Sequence, residues 1–148
     1  MGALTFPPGS RVYLDSNLFI YALEARSRFT AALTEFFSGI DAGRVNAVTS
    51  ELALAELMVK PLKFGDQRII TVYQEFLQAR EHFEIRPVDR ATLVDAAQLR
   101  GQLNLRFPDA IHAATARRAQ CQFFLTNDRR LKILEGITVV LLSEFVVQ

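Results

Sequence analysis

Cysteine is nearly missing. A single thiol, Cys121, in 148 residues can form neither an internal disulfide nor a cysteine-based zinc site, and two histidines, His82 and His112, are too few for a histidine cluster. Disulfide-dependent folding is thereby excluded, and a reducing, cytoplasmic setting is expected. No apolar run approaches the roughly eighteen residues a membrane span requires. The N-terminus from Met1 to Pro8 lacks a positive region followed by a long apolar core, so a soluble, unexported protein with no membrane partner is expected. Glycine is also sparse, at seven residues, and none forms the glycine-rich phosphate loop of a Walker-type nucleotide site. Net charge is only +1, so global charge does not announce a nucleic-acid binder.

What is present is half apolar and 22% charged, the balance of one compact globular domain over residues 1–148, with 1–10 as a flexible lead-in closed by Pro7, Pro8 and Gly9. The 17 basic residues are 14 Arg and 3 Lys, and the planar arginine fork suits bidentate contact with phosphate. The chain is organised around Arg11 to Asn17. Val12, Tyr13 and Leu14 are strand formers in a run too short for an amphipathic helix, and the run stops on Asp15. An acid at the carboxyl end of a strand in an open α/β sheet lies where ligands bind.

Further along, Ser16 and Asn17 offer a cap for a short helix, 18–24, and a second helix spans about 28–41 with Phe29, Leu33, Phe36, Phe37 and Ile40 at helical spacing. A strand at 44–49 leads to Ser50, which caps a helix 51–60 that Pro61 is expected to end. The spacing predicts a helix from Gly65-Asp66 to about 82, a strand 83–88, and a helix 91–104 capped by Asp89. A loop 105–108 then opens a helix 109–119, followed by a strand 122–126, a short helix 129–135 and a strand 138–142. Strands alternating with helices argue a three-layer α/β/α sandwich with a mostly parallel central sheet.

Four carboxylates fall where this topology could gather them: Asp15, Glu56, Asp109 and Asp128. Three have local explanations, since Asp15 suits an Asx-turn, Asp109 a helix first turn and Asp128 an N-cap. Glu56 resists one. Its helix is apolar nearly all round, with Leu52, Ala55 and Val59 on the arc it shares, and a buried carboxylate needs an arginine, a cation or a neighbouring acid as partner. A surface stripe mistaken for core is the plainer alternative. A divalent Mg²⁺ or Mn²⁺ would hold several acids in one crevice, and such a site polarises a phosphodiester and acidifies bound water. Asn17 and Thr126 could give polar support, or act as plain caps. Arg129 and Arg130 are candidates for phosphate contact. His112, three residues after Asp109 on the same helical face, could approach the site, although a satisfied helix-surface histidine is the plainer reading. The aromatic residues Phe19, Tyr21, Phe29, Phe36, Phe37, Tyr73 and Phe76 exceed what one small core obviously needs, so some are expected at a groove or seam.

At these residues the chain resembles the PIN-domain ribonucleases, and among them the VapC-type toxins of toxin–antitoxin pairs. The likeness is carried in order by residues 12–21 around Asp15, 49–57 around Glu56, 107–116 around Asp109 and 124–131 around Asp128. It implies a Mg²⁺- or Mn²⁺-dependent endoribonuclease with those four acids as its catalytic and metal-holding set, Asn17 and Thr126 as their support, an RNA substrate, a homodimer, and a cognate antitoxin inserting a segment beside the site. The long proline-containing lead-in and Pro108 directly before Asp109 depart from the commonest pattern without removing a ligand. Two other readings stand beside this one. The first is a PIN-like domain that only binds RNA or a partner. The second is an aspartyl phosphoacceptor or phosphatase, although Asn17 occupies the place of the dehalogenase second acid and Lys132 lies in a helix-like run.

Overall fold

A computed structural model describes residues 4–24 and 27–145. Its elements run β1 (Arg11–Leu14), α1 (Asn17–Leu23), α2 (Thr30–Asp41), β2 (Asn46–Ser50), α3 (Glu51–Phe64), α4 (Gln67–Phe76), β3 (Phe83–Arg86), α5 (Arg90–Leu103), α6 (Phe107–Arg118), β4 (Phe123–Thr126), a 3₁₀ turn (Arg129–Ile133), β5 (Thr138–Leu141) and α7 (Leu142–Phe145). The strands form one five-stranded sheet in the order β3-β2-β1-β4-β5, and every pairing is parallel. The short last helix was not foreseen.

The period-two alternation of the strands decides the layers. Val12 and Leu14 of β1, Ala47 of β2 and Leu125 of β4 face a core shared with Leu18, Phe19, Leu33 and Phe37 of the α1–α2 side. Tyr13, Val48 and Phe124 point the opposite way, into a second core with Ala96 and Leu99 of α5 and Ala110, Ala113 and Ala114 of α6. Parallel strands covered on both faces read as continuous apolar runs, as these do. The expected three-layer α/β/α sandwich is therefore what the chain forms. From β1 the chain winds to β2 and β3 on one side and later to β4 and β5 on the other. The switch point lies between β1 and β4, above whose carboxyl ends ligands bind.

Four expectations need correction. The helix after Ser50 does not stop at Pro61. It continues to Phe64 and ends at Gly65, whose φ of 68° permits the left-handed turn in which Asp66 N–H reaches the Pro61 carbonyl at 2.9 Å and Gly65 N–H the Leu62 carbonyl at 3.4 Å. Pro61 is buried, and its packing offsets the one lost backbone bond. Helix α4 stops at Phe76 rather than near residue 82, because Arg80 and Phe83 exchange two backbone hydrogen bonds of 3.0 Å around a tight turn that puts His82 at a φ of 66°.

Residues 4–10 are tied down rather than loose. Phe6 lies edge-on to Phe36 at 5.7 Å and against Phe123 at 5.0 Å, and Gly9 N–H bonds the Arg44 carbonyl at 3.0 Å. The aromatic surplus is core: Phe19, Phe29, Phe36, Phe37 and Tyr73 are buried, and Tyr21 and Phe76 pack against them. The large apolar side chains left exposed are instead Ile20, Val59, Leu62, Phe64, Leu93, Val94 and Phe107.

Candidate functional site

Asp15 follows the last residue of β1, at the switch point, and is buried. Its Oδ1 accepts from the Ser16 N–H at 2.9 Å and its Oδ2 from the Thr126 hydroxyl at 2.6 Å. Thr126, the last residue of β4, also accepts the Asp128 N–H at 3.0 Å, so one buried hydroxyl ties the first acid to the fourth. Burial raises the Asp15 pKa, opposed by the His112 charge and the Thr126 and Ser16 hydrogen bonds and reinforced by Asp109. Ser16 makes no side-chain cap for α1; its hydroxyl helps hold the Glu56 carboxyl instead.

His112 takes the less expected of its two readings and lies in the site. It is not on the surface but buried with 1% of its side chain exposed, because α6 is packed nearly all round. Its Nδ1 lies 2.6 Å from the Tyr13 hydroxyl, its Nε2 2.6 Å from Glu56 Oε1 and 4.0 Å from Asp15 Oδ1. Burial alone would lower the His112 pKa, yet the Glu56 hydrogen bond and the charges of Asp15, Glu56 and Asp109 raise it overall. Both ring nitrogens are thus engaged, one by a hydroxyl and one by a carboxylate. Its place three residues after Asp109 on one helical face pointed to the site, and the apolar stretch Ala110 to Ala116, in which a lone histidine has no water to face, pointed to burial.

Glu56 thus has a partner, but not an arginine or a second acid, and its helix is not buried all round. Only Ala53, Leu57 and Pro61 of α3 are buried, Ala55 and Val59 are exposed, and Glu56 itself is 32% exposed. Partial burial pushes its pKa up, and the hydrogen bond and charge of His112 outweigh that and leave it lowered.

Asp109 stands in the first turn of α6 and is buried. Arg106 Nε lies 3.2 Å from its Oδ2 and Arg130 Nη2 3.6 Å from the same oxygen. Asp128 caps the 3₁₀ turn by accepting the Arg130 N–H at 3.0 Å, and it receives the Arg130 guanidinium as well, Nε on Oδ1 at 2.9 Å and Nη2 on Oδ2 at 2.5 Å. That guanidinium hydrogen bond holds Asp128 below the usual carboxylate range. Arg130, read as a phosphate contact, is spent on these acids; Arg129 beside it is exposed.

All four acids therefore meet at one end of the sheet, in two pairs: Asp15 with Glu56 across His112, and Asp109 with Asp128 across Arg130. Their donor chemistry suits a hard divalent cation, being all oxygen. The Oδ1 of Asn17 is buried without a hydrogen-bond partner, the state of an acceptor that a bound water would complete. Among the described residues, however, no three His, Cys, Asp or Glu side chains are grouped closely enough to hold a metal as they stand. Beside Glu56 opens a cleft of about 250 Å³ between α1, α3 and α4, with Ile20, Leu57, Phe64 and Ile69 on its walls and Glu24, Lys60 and Asp66 among its polar groups. The Tyr73 hydroxyl in it donates to Glu24. Among the described residues no helix is long and apolar enough to cross a membrane.

Comparison with known proteins yields a match to the family model described as PIN domain, over residues 12–137. No curated protein matches the sequence. Among solved structures, VapBC2 from Rickettsia felis bound to a DNA fragment from its promoter superposes with a TM-score of 0.68 at 16% identity, covering 88% of this chain and 97% of that one. A toxin–antitoxin complex from Klebsiella pneumoniae gives 0.62 at 22% identity, with coverage of 88% and 97%. VapC20 of Mycobacterium tuberculosis, described as a sarcin–ricin loop cleaving toxin, gives 0.64 at 13% identity, covering 76% and 86%.

Proposed function

The chain belongs to the PIN-domain family, and from that premise we propose that it is a metal-dependent endoribonuclease and the toxin of a toxin–antitoxin pair. The observation that carries this reading is the convergence of Asp15, Glu56, Asp109 and Asp128 on the switch point of the sheet, joined through Thr126, His112 and Arg130. These four carboxylates would hold Mg²⁺ or Mn²⁺, which supplies Lewis-acid polarisation of a phosphodiester and a more acidic bound water.

The protein's own groups do the rest. Thr126 fixes the Asp15 carboxylate by donating to Oδ2. Tyr13 anchors His112, and His112 fixes the rotamer of Glu56, so that this half of the site is set before anything binds. Asn17 Oδ1 accepts a hydrogen bond from a water in the crevice. Exposed Arg129, next to Asp128, meets a substrate phosphate.

An RNA substrate is supported by the described activity of the Mycobacterium tuberculosis neighbour, and an antitoxin partner by the Rickettsia felis and Klebsiella pneumoniae complexes. The cleft beside Glu56 suits an antitoxin segment presenting an apolar side chain and a basic one, since Glu24, Glu56 and Asp66 outnumber Lys60 among its charged groups. Exposed Val59 and Leu62 on α3 and Leu93 and Val94 on α5 are surfaces that an antitoxin and a second copy in a homodimer would cover. A cytoplasmic site of action belongs to the same proposal.

The test is the purified chain against structured and unstructured RNAs. Cleavage is expected with Mg²⁺ or Mn²⁺, and none with a chelator or in Asp15→Asn. Full activity in Asp15→Asn would refute the assignment.

A further inference from the structure

The two pairs of acids are neutralised in different ways, and only one neutralising group can leave. His112 is buried and tied at both nitrogens. Arg130 reaches the site from a 3₁₀ turn with 56% of its side chain exposed. Its Nη2 lies 2.5 Å from Asp128 Oδ2 and 3.6 Å from Asp109 Oδ2, between the carboxylates of two different elements. A guanidinium there offers positive charge where a divalent cation would, and two cations do not share the same oxygens at contact distance.

We propose that Arg130 is a built-in competitor for the metal: its guanidinium clamps Asp109 and Asp128 together, and a divalent cation binds these acids only by displacing it. This inference rests on the metal-dependent reading above. It accounts for the lack of a ready-made metal group in a site with four acids, because a carboxylate committed to a fork at 2.5 and 2.9 Å is not free to turn toward an ion. Once displaced, the guanidinium remains at the rim of the crevice, where a phosphate arrives, so metal loading and phosphate contact become linked. Arg106, 3.2 Å from Asp109 Oδ2, adds charge on that acid but does not bridge to Asp128.

The test is isothermal titration of the full chain with Mn²⁺, without RNA, for the wild type and for Arg130→Gln, Arg130→Lys, Arg129→Gln and Asp109→Asn. Arg129→Gln removes the same charge one residue away and corrects for general electrostatics. Removing a like charge at contact distance predicts about tenfold tighter Mn²⁺ binding in Arg130→Gln, against about twofold or less in Arg129→Gln. Arg130→Lys, which keeps the charge and loses the fork, should fall between wild type and Arg130→Gln.

Binding abolished by Asp109→Asn but no tighter in Arg130→Gln than in Arg129→Gln overturns the competitor and leaves the nuclease reading standing. Mn²⁺ bound equally by Asp109→Asn and wild type, or by neither wild type nor Arg130→Gln, overturns the metal assignment and the competitor with it.

Discussion

The two halves of the site solve one electrostatic problem by opposite means. Asp15 and Glu56 are held by an imidazole buried inside the protein and fixed by Tyr13. Asp109 and Asp128 are held by a solvent-facing guanidinium on a long flexible stem. Burial makes the first arrangement rigid and expensive to break, because removing one partner strands charge in a poorly solvated place. In the second only the Arg130 side chain is exposed, and water and salt that reach its guanidinium make the contact exchangeable. The buried half sets geometry, and the exposed half is where an incoming ion or phosphate can trade places with a side chain.

The sharpest way to break that contrast is to remove charge from each half in turn. Asp15→Asn should abolish RNA cleavage, a fall of about 10²-fold or more, while the far-ultraviolet dichroism is unchanged. Wild-type rates in that variant would mean the buried half has no chemical role. His112→Leu comes next: leaving Asp15 and Glu56 without the side chain between them should cost about 2–4 kcal/mol of stability, read as the shift of the urea midpoint at constant slope. A midpoint within error of wild type would show that the buried pair is dispensable.

Tyr13→Phe removes only the anchor of the imidazole and should cost about 1 kcal/mol in the same measurement. A smaller effect is in pH dependence, measured with a chelator present. The folded His112 pKa lies above its ordinary 6.5, so its contribution is complete below that value and fades as pH rises through the folded one. Wild type should therefore lose stability relative to His112→Leu as pH climbs above about 6.5. The smallest change is expected on the exposed side. Arg130→Gln should leave the urea midpoint where it is, and a loss as large as that of His112→Leu would erase the distinction between the halves.

Much of the fold was legible because it depends on local pattern. Short β-branched and aromatic runs alternate with helical periods, and the caps Ser50, Asp89 and Asp128 accept the backbone N–H bonds their positions suggested, although Ser16 does not. Pro61 misled because a proline's local cost was weighed without the packing that offsets it. The aromatic residues misled because their number was compared with an imagined core, whereas two faces of one sheet demand two cores. The acids were legible as strand ends and helix starts, and Thr126 was found through its place two residues before Asp128. The partners of His112 were not, since Tyr13 and Glu56 lie 99 and 56 positions away and no local rule relates them.

By itself, the order of residues determined the alternation of strands and helices, the acids at the carboxyl ends of β1 and β4, and thereby the place in the fold where chemistry could occur. Only the tertiary structure decided how those acids are neutralised, by a histidine in the interior and an arginine at the rim. Periodicity and capping act over a few residues and can be read along the chain. Charge compensation depends on distance and burial in space, which exist only once the sheet has brought remote segments together.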